Sequence, residues 1–210
     1  MTSGGVVVVG AGGHAKVCIE LLRAGGAEVA YCVGSEGSDQ DCLGVPVLIG
    51  DERLPELYAE GLRDVFVAIG SNRGRAALGA LVREIGFELV NAVSPTAVVS
   101  PTAVLGSGVA VMAGAVINAS ATIADLAIVN TGATIDHDCV IGAASHVAPG
   151  SSLAGNVTIG AGVFLGVGTC VIPERTIGDH TQVGAGGVVV HDLPPGVLAL
   201  GVPARIVDRS

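Results

Sequence analysis

The sequence predicts two joined folds: a small α/β unit on a parallel sheet, then a β-solenoid over the rest of the chain. Three observations predict this. From Val93 to Val189 every sixth residue is aliphatic without a break in register: Val93, Val99, Leu105, Val111, Ile117, Ile123, Val129 and so on to Val183 and Val189. Before Val93 that period is absent, and the apolar run Val6–Val9 stops at Gly10-Ala11-Gly12-Gly13-His14-Ala15. Half the chain is hydrophobic yet only 2% is aromatic, which suits a narrow interior filled by Val, Ile, Leu and Ala.

In the first part, Val6–Val9 has β-branched strand character, and Lys16–Ala24 has helical spacing with Val17, Leu21 and Ala24 on one face. Glu28–Val33 reads as a second strand, Asp64–Ile69 as a third, and Gly74–Ile85 as a helix. Strand, Gly-rich turn, helix and strand open a parallel α/β sheet. Phe87–Val93 is a last strand or linker, and Ser94-Pro95 introduces the solenoid, which gives domains at 1–91 and 92–210.

A strict period of six belongs neither to helices nor to simple strands. It describes short strands joined by tight corners, with one inward aliphatic residue per face. A small residue, such as Ala115, Ala121, Ala133, Cys139 or Ser145, stands two before most of these positions. Three faces make a coil of about 18 residues, so residues 18 apart stack about 4.8 Å from one another. The 33 glycines fit corners that need positive φ. After Val189 the segment His191–Gly196 breaks the period.

A net charge of −9, with Lys16 the single lysine, argues against nucleic acid or an anionic membrane as a partner. It leaves room for small anions held by backbone N–H groups. No signal peptide is evident, and no apolar stretch is long enough to span a bilayer. The five cysteines, with no Cys-x-x-Cys, read as reduced thiols of a cytosolic protein.

Gly10-x-Gly12-x-x-Ala15 offers a tight turn, an approach without side chains and a helix N-terminus aimed at an anion. An NAD site would also want an acid closing the second strand, near Gly34, where only Glu36 follows. Another nucleotide-linked ligand and a structural turn are the other readings. His14, in that turn, touches the ligand or caps the helix.

His137, in Ile135-Asp136-His137-Asp138-Cys139, is the sharpest candidate. Asp138 adjoins it, Asn130 lies seven residues before it, and Asp136 stacks over Asn118 one coil earlier. Gly155 stands 18 residues after His137, so a bare backbone N–H lies one coil above a candidate base. Base plus oxyanion donor is what acyl transfer needs. His146 is half a coil on, and within one chain it shares no metal site with His137; across a subunit boundary it is a candidate ligand contact. His180 and His191 read as corner and tail residues.

Together these residues resemble the hexapeptide-repeat acyltransferases. The closer likeness is to the two-domain branch with the sugar-nucleotide N-acetyltransferases of bacillosamine and perosamine biosynthesis and proteins labelled sialic acid O-acetyltransferases. The specific pieces are Gly10-Ala-Gly-Gly-His14, Ala68-Ile-Gly70-Ser71-Asn72, Asn130-Thr131, Ile135-Asp-His-Asp-Cys-Val-Ile-Gly142, Ser145-His146-Val147, Ala154-Gly155-Asn156-Val157 and Gly201-Val-Pro-Ala-Arg205. The resemblance implies a Rossmann-like domain that binds the nucleotide sugar, a left-handed parallel β-helix, and a homotrimer with active sites between subunits. It implies His137 as the base for the sugar amine, Asp138 as its tuner, and the Gly155 N–H as donor to the thioester carbonyl. His146, Gly155 and Val167 would line the coenzyme A channel. Gly12, Gly13, His14, Gly34, Ser35, Gly70 and Asn130 would hold the nucleotide sugar, although the branch often carries acids where Gly34 and Ser35 stand here.

The resulting expectation is a cytoplasmic, metal-free, acetyl-CoA-dependent N-acetyltransferase acting on a UDP- or GDP-linked 4-amino-6-deoxy sugar. The rival expectations are O-acetylation of a sugar hydroxyl, a β-helix metalloenzyme of the carbonic anhydrase type with three convergent histidines, and a non-catalytic scaffold.

Overall fold

The computed structural model describes residues 4–208; positions 1–3, on which the signal-peptide expectation partly rests, lie outside them. The chain divides into two compact units after Pro95.

The first unit is built on β1 (Val6–Val9), four consecutive buried valines, as expected of a parallel strand covered on both faces. The chain leaves β1 through α1 (Gly13–Ala24) to β2 (Val29–Gly34). It then makes β3 (Asp41–Cys42) and β4 (Val45–Ile49), an antiparallel hairpin turned by Leu43 and Gly44, both at positive φ. After α2 (Arg53–Ala59) it returns to β5 (Asp64–Val67) on the other side of β1, and α3 (Asn72–Ile85) leads to β6 (Glu88–Leu89). The sheet order is β3-β4-β2-β1-β5-β6. The connections therefore reverse direction across β1, and open α/β sheets bind ligands at such a switch point.

Several expectations need correction here. The hairpin and α2 have no counterpart in the sequence reading. The buried stripe of α1 is Ala15, Cys18, Ile19 and Leu22 with Leu21, while Val17 and Ala24 are exposed. The helix begins at Gly13, and Cys18 takes the apolar place given to Val17. Segment 87–93 makes two short strands, β6 and Ala92–Val93, the second packed on α1.

In the second unit the period of six is realised residue by residue. Two-residue strands stack into parallel sheets in a register of 18: Ile117 on Ile135, Ile135 on Leu153, Leu153 on Val171, and Val171 on Val189. Ile123, Ile141, Ile159 and Ile177 form a second column, and Val111, Val129, Val147, Leu165 and Val183 a third. These side chains are buried, with Ala115, Ala121, Ala127, Ala133 and Cys139 filling between them. Where the filler is polar it is satisfied: Ser145 Oγ donates to Gly160 O at 2.6 Å and accepts from Val163 N at 3.0 Å.

Every sixth residue from 108 to 186 turns a corner at positive φ. Glycine fills only half of these corners, and Ser120, Leu126, Asp138, Ala144, Asn156, Glu174 and His180 hold the others. The glycine content is therefore only part of the corner chemistry. The segment after Val189 does not leave the stack either. Leu193 bridges to Ile177 and Ala199 pairs with Val183, so a further, shortened coil continues with a register of 16 before Arg205–Val207 folds back antiparallel.

Candidate active site

The strand Thr134–Ile135 delivers His137 to a corner of the second unit. Four hydrogen bonds fix the local backbone. Asp136 Oδ1 accepts from the His137 N–H at 2.8 Å and from Asn118 Nδ2, one coil earlier, at 3.0 Å. The Asp138 N–H donates to Ala119 O and the Asn156 N–H donates to His137 O, each at 3.0 Å. Asp138 sits at φ 58, which folds its carboxylate back beside the ring of its neighbour. His137 Nδ1 donates to Asp138 Oδ2 at 2.8 Å. A carboxylate only accepts, so Nδ1 carries the proton and the neutral imidazole keeps its lone pair on Nε2. The Asp138 hydrogen bond and, next, the Asp136 charge hold the His137 pKa above its ordinary value.

Nε2 faces Gly155. A Cβ on that glycine would lie 2.6 Å from both Cε1 and Nε2 of His137. Gly155 itself is buried, its O accepts from the Glu174 N–H, and no hydrogen bond takes its own N–H among the described residues. A lone-pair base and an uncommitted N–H donor thus converge from successive coils.

The first unit carries a cleft of about 680 Å³ at the C-terminal ends of β1, β2 and β5. Gly10, Gly12, Gly13 and His14 line it, with Ser35, Glu36, Asp39, Asp51, Ile69 and Gly70 opposite. The N-terminus of α1, capped by no side chain, opens at this cleft. Gly10 has φ 122, and a Cβ there would strike Ala68 O at 2.7 Å, whereas Cβ atoms on Gly12, Gly13 and Gly70 would meet nothing within 4 Å. Gly10 makes the turn, and the other glycines leave open space. His14 Nε2 lies 3.6 Å from Cys18 Sγ; burial, and then the Arg75 charge, depress the His14 pKa.

Residues 5–79 match the PglD N-terminal domain. PerB from Caulobacter crescentus, solved with CoA and GDP-perosamine, is 59% identical over 98% of both chains, with a TM-score of 0.95. The chain belongs to the hexapeptide-repeat sugar N-acetyltransferases. The acetyltransferase domain of PglB from Neisseria gonorrhoeae, solved with acetyl coenzyme A, is 39% identical over 96% of this chain and 98% of that one, TM-score 0.89. WeeI from Acinetobacter baumannii is 25% identical over 98% of this chain and all of that one, TM-score 0.87. A search of curated proteins returned no match.

Within this acetyltransferase the remaining predicted residues are placed as follows. His146 is nearly buried in the strand His146–Val147, edge-on to Phe164 and 2.9 Å from Asn130 Nδ2 through Nε2. Asn130 Oδ1 also accepts from the Thr131 N–H, and Asn130, beside His146 in the second unit, is not among the residues that line the cleft. Val167 is an exposed corner. Gly34 is buried and does not line the cleft, though Val33 and Ser35 on either side do. A Cβ on Gly34 would meet Ser38 Oγ at 2.7 Å and Val47 Cγ1 at 2.9 Å. Sequence reasoning missed Asp39 and Asp51, because the loop and hairpin after β2 follow no period; it also missed the buried Arg75. Among the described residues no group of three or more His, Cys, Asp or Glu residues is placed to hold a metal, and no helix is long and apolar enough to cross a membrane.

Proposed function

We propose that this enzyme transfers the acetyl group of acetyl-CoA to the amino group of a nucleotide-linked 4-amino-6-deoxy sugar, with GDP-perosamine the leading acceptor. The observation that carries this is the 59% identity, across nearly the full length of both chains, to an enzyme solved with CoA and GDP-perosamine. Two further structures of that enzyme have Asn or Ala in place of one histidine, which supports a histidine-centred reaction. His137 Nε2 takes a proton as the amine attacks the thioester carbonyl, and the Gly155 N–H stabilises the oxyanion that forms. Collapse expels the coenzyme thiolate, which recovers the proton from the His137 imidazolium. No covalent acyl-enzyme is required.

In this reading residues 92–210 are the acetyltransferase domain, with His137, Asp138 and Gly155 catalytic and His146, Gly155 and Val167 along the coenzyme channel. Residues 1–91 bind the nucleotide through Gly12, Gly13, His14, Ser35 and Gly70, with Asn130 completing the acceptor site. Gly34 acts there by letting the Ser38 side chain approach. The protein assembles as a homotrimer with active sites at subunit boundaries. Exposed Val98, Val104 and Val140 on flat solenoid faces support that assembly, since apolar surface of this kind is covered by symmetric closure. The setting is the reducing cytoplasm, in keeping with five free thiols.

The test is direct. Purified protein with acetyl-CoA and GDP-perosamine should release free thiol and yield a sugar heavier by one acetyl group on nitrogen. Acetylation of a hydroxyl, or no turnover with any GDP- or UDP-linked 4-amino sugar, would overturn the reading. Light scattering should give about three times 20.6 kDa.

A further inference from the structure

Arg75, in the first turn of α3, is 1% exposed and, among the described residues, the largest fully buried side chain. Burying a guanidinium is costly unless its donors are used. Its Nη1 donates to Ile69 O at 2.8 Å and Gly70 O at 3.1 Å, and Nη2 donates to Asn72 Oδ1 at 2.9 Å. Ile69 and Gly70 form one wall of the cleft. Carbonyls at the end of a parallel strand would otherwise be free to turn their negative ends into the cleft, and the guanidinium holds these two inward. The cleft lining includes Glu36, Asp39 and Asp51 and no lysine or arginine. An anion bound there needs positive potential from behind the lining.

We infer that Arg75 is a positioning residue for the nucleotide diphosphate: it fixes the Ile69–Gly70 wall and sets a positive charge behind the Gly-rich turn. The inference rests on the reading of the cleft as the nucleotide site. The charge also reaches His14, whose pKa is depressed first by burial and then by Arg75. Arg75 thus supplements the N-terminus of α1, which alone contributes only partial charge.

The test uses the intact enzyme, GDP and GMP as probes, and calorimetry. Arg75→Met should raise Kd for GDP about tenfold or more, and for GMP less, because the loss scales with phosphate charge. Kd for CoA should not move, and kcat at saturating acceptor should stay within about twofold, so the defect falls in KM. Arg75→Lys, which keeps the charge without the fork, should recover part of the affinity. The His14 resonances should titrate at higher pH in Arg75→Met and stay near their wild-type position in Arg75→Lys, which keeps the charge. If Arg75→Met does not fold, Asn72→Ala releases one arm of the guanidinium and should weaken GDP several-fold. Unaltered GDP binding in Arg75→Lys and in whichever of the other two variants folds would overturn the inference. Wild-type enzyme that bound no GDP would instead overturn the nucleotide assignment beneath it.

Discussion

The imidazole of His137 occupies the space that a side chain on residue 155 would need, its Cε1–Nε2 edge 2.6 Å from the position of a Cβ. Gly155→Ala should therefore push the ring aside and loosen its bond to Asp138. Displacements of this size cost about 10²-fold in kcat, with KM for either substrate little changed. Steady-state kinetics check this. Full activity in Gly155→Ala would separate the glycine from the chemistry.

For the proposed base, His137→Asn or His137→Ala should lower kcat by about 10²–10⁴-fold. The side chain is 53% exposed and its side-chain partner Asp138 equally so, so the melting temperature should barely move. Differential scanning calorimetry beside the kinetics distinguishes the two roles. A large loss of Tm would assign His137 to folding.

The pH profile follows from the direction of the His137 shift. In the proposed mechanism the neutral form is the base, so activity should rise as pH climbs through a pKa held above 6.5 by the Asp138 hydrogen bond and then by the Asp136 charge. Asp138→Asn removes the larger contribution, and the acidic limb should move to lower pH while the plateau falls. Asp136→Asn should move the limb the same way by less. Comparing each variant with wild type cancels the ionisation of the substrate amine. A limb that stayed fixed in both would mean another group sets it.

Two glycines of one turn should respond oppositely. Gly13→Leu adds a side chain where nothing lies within 4 Å. It should fold normally, raise KM for the nucleotide sugar several-fold and leave KM for acetyl-CoA unchanged. Gly10→Ala meets Ala68 O at 2.7 Å from a backbone at φ 122, and should cost about 1–3 kcal/mol of stability. Thermal melts and kinetics on both variants check the pair. A selective effect of Gly13→Leu on acetyl-CoA would reverse the assignment of the first unit.

The solenoid and the placing of His137 against Gly155 were legible in sequence because neither depends on loops. With a fixed period, Val111 predicts Val129, and His137 predicts Gly155. Four things were hidden. The hairpin of Cys42 and Val45 is short, carries Pro46 and turns on Leu43, a residue that seldom adopts positive φ, so it shows neither alternation nor a recognised turn signal. The face of α1 was misphased because Cys18 and Ala15 do not look like core until the helix is known to start at Gly13. The last coil reads as a tail in sequence because its register is 16 and not 18. The acids of the cleft come from irregular backbone, where spacing in sequence says nothing of spacing in space.

The stack of coils has one consequence for how such a chain can change. His137 and Gly155 are one ladder step apart, so their separation is a property of β-sheet hydrogen bonding, about 4.8 Å, and not of any adjustable segment. A single inserted residue between them would slide every later inward aliphatic residue off its column. Insertion or loss of a whole coil elsewhere would leave the pair untouched. Length in this half of the protein is therefore quantised, whereas the loops of the first unit obey no such arithmetic.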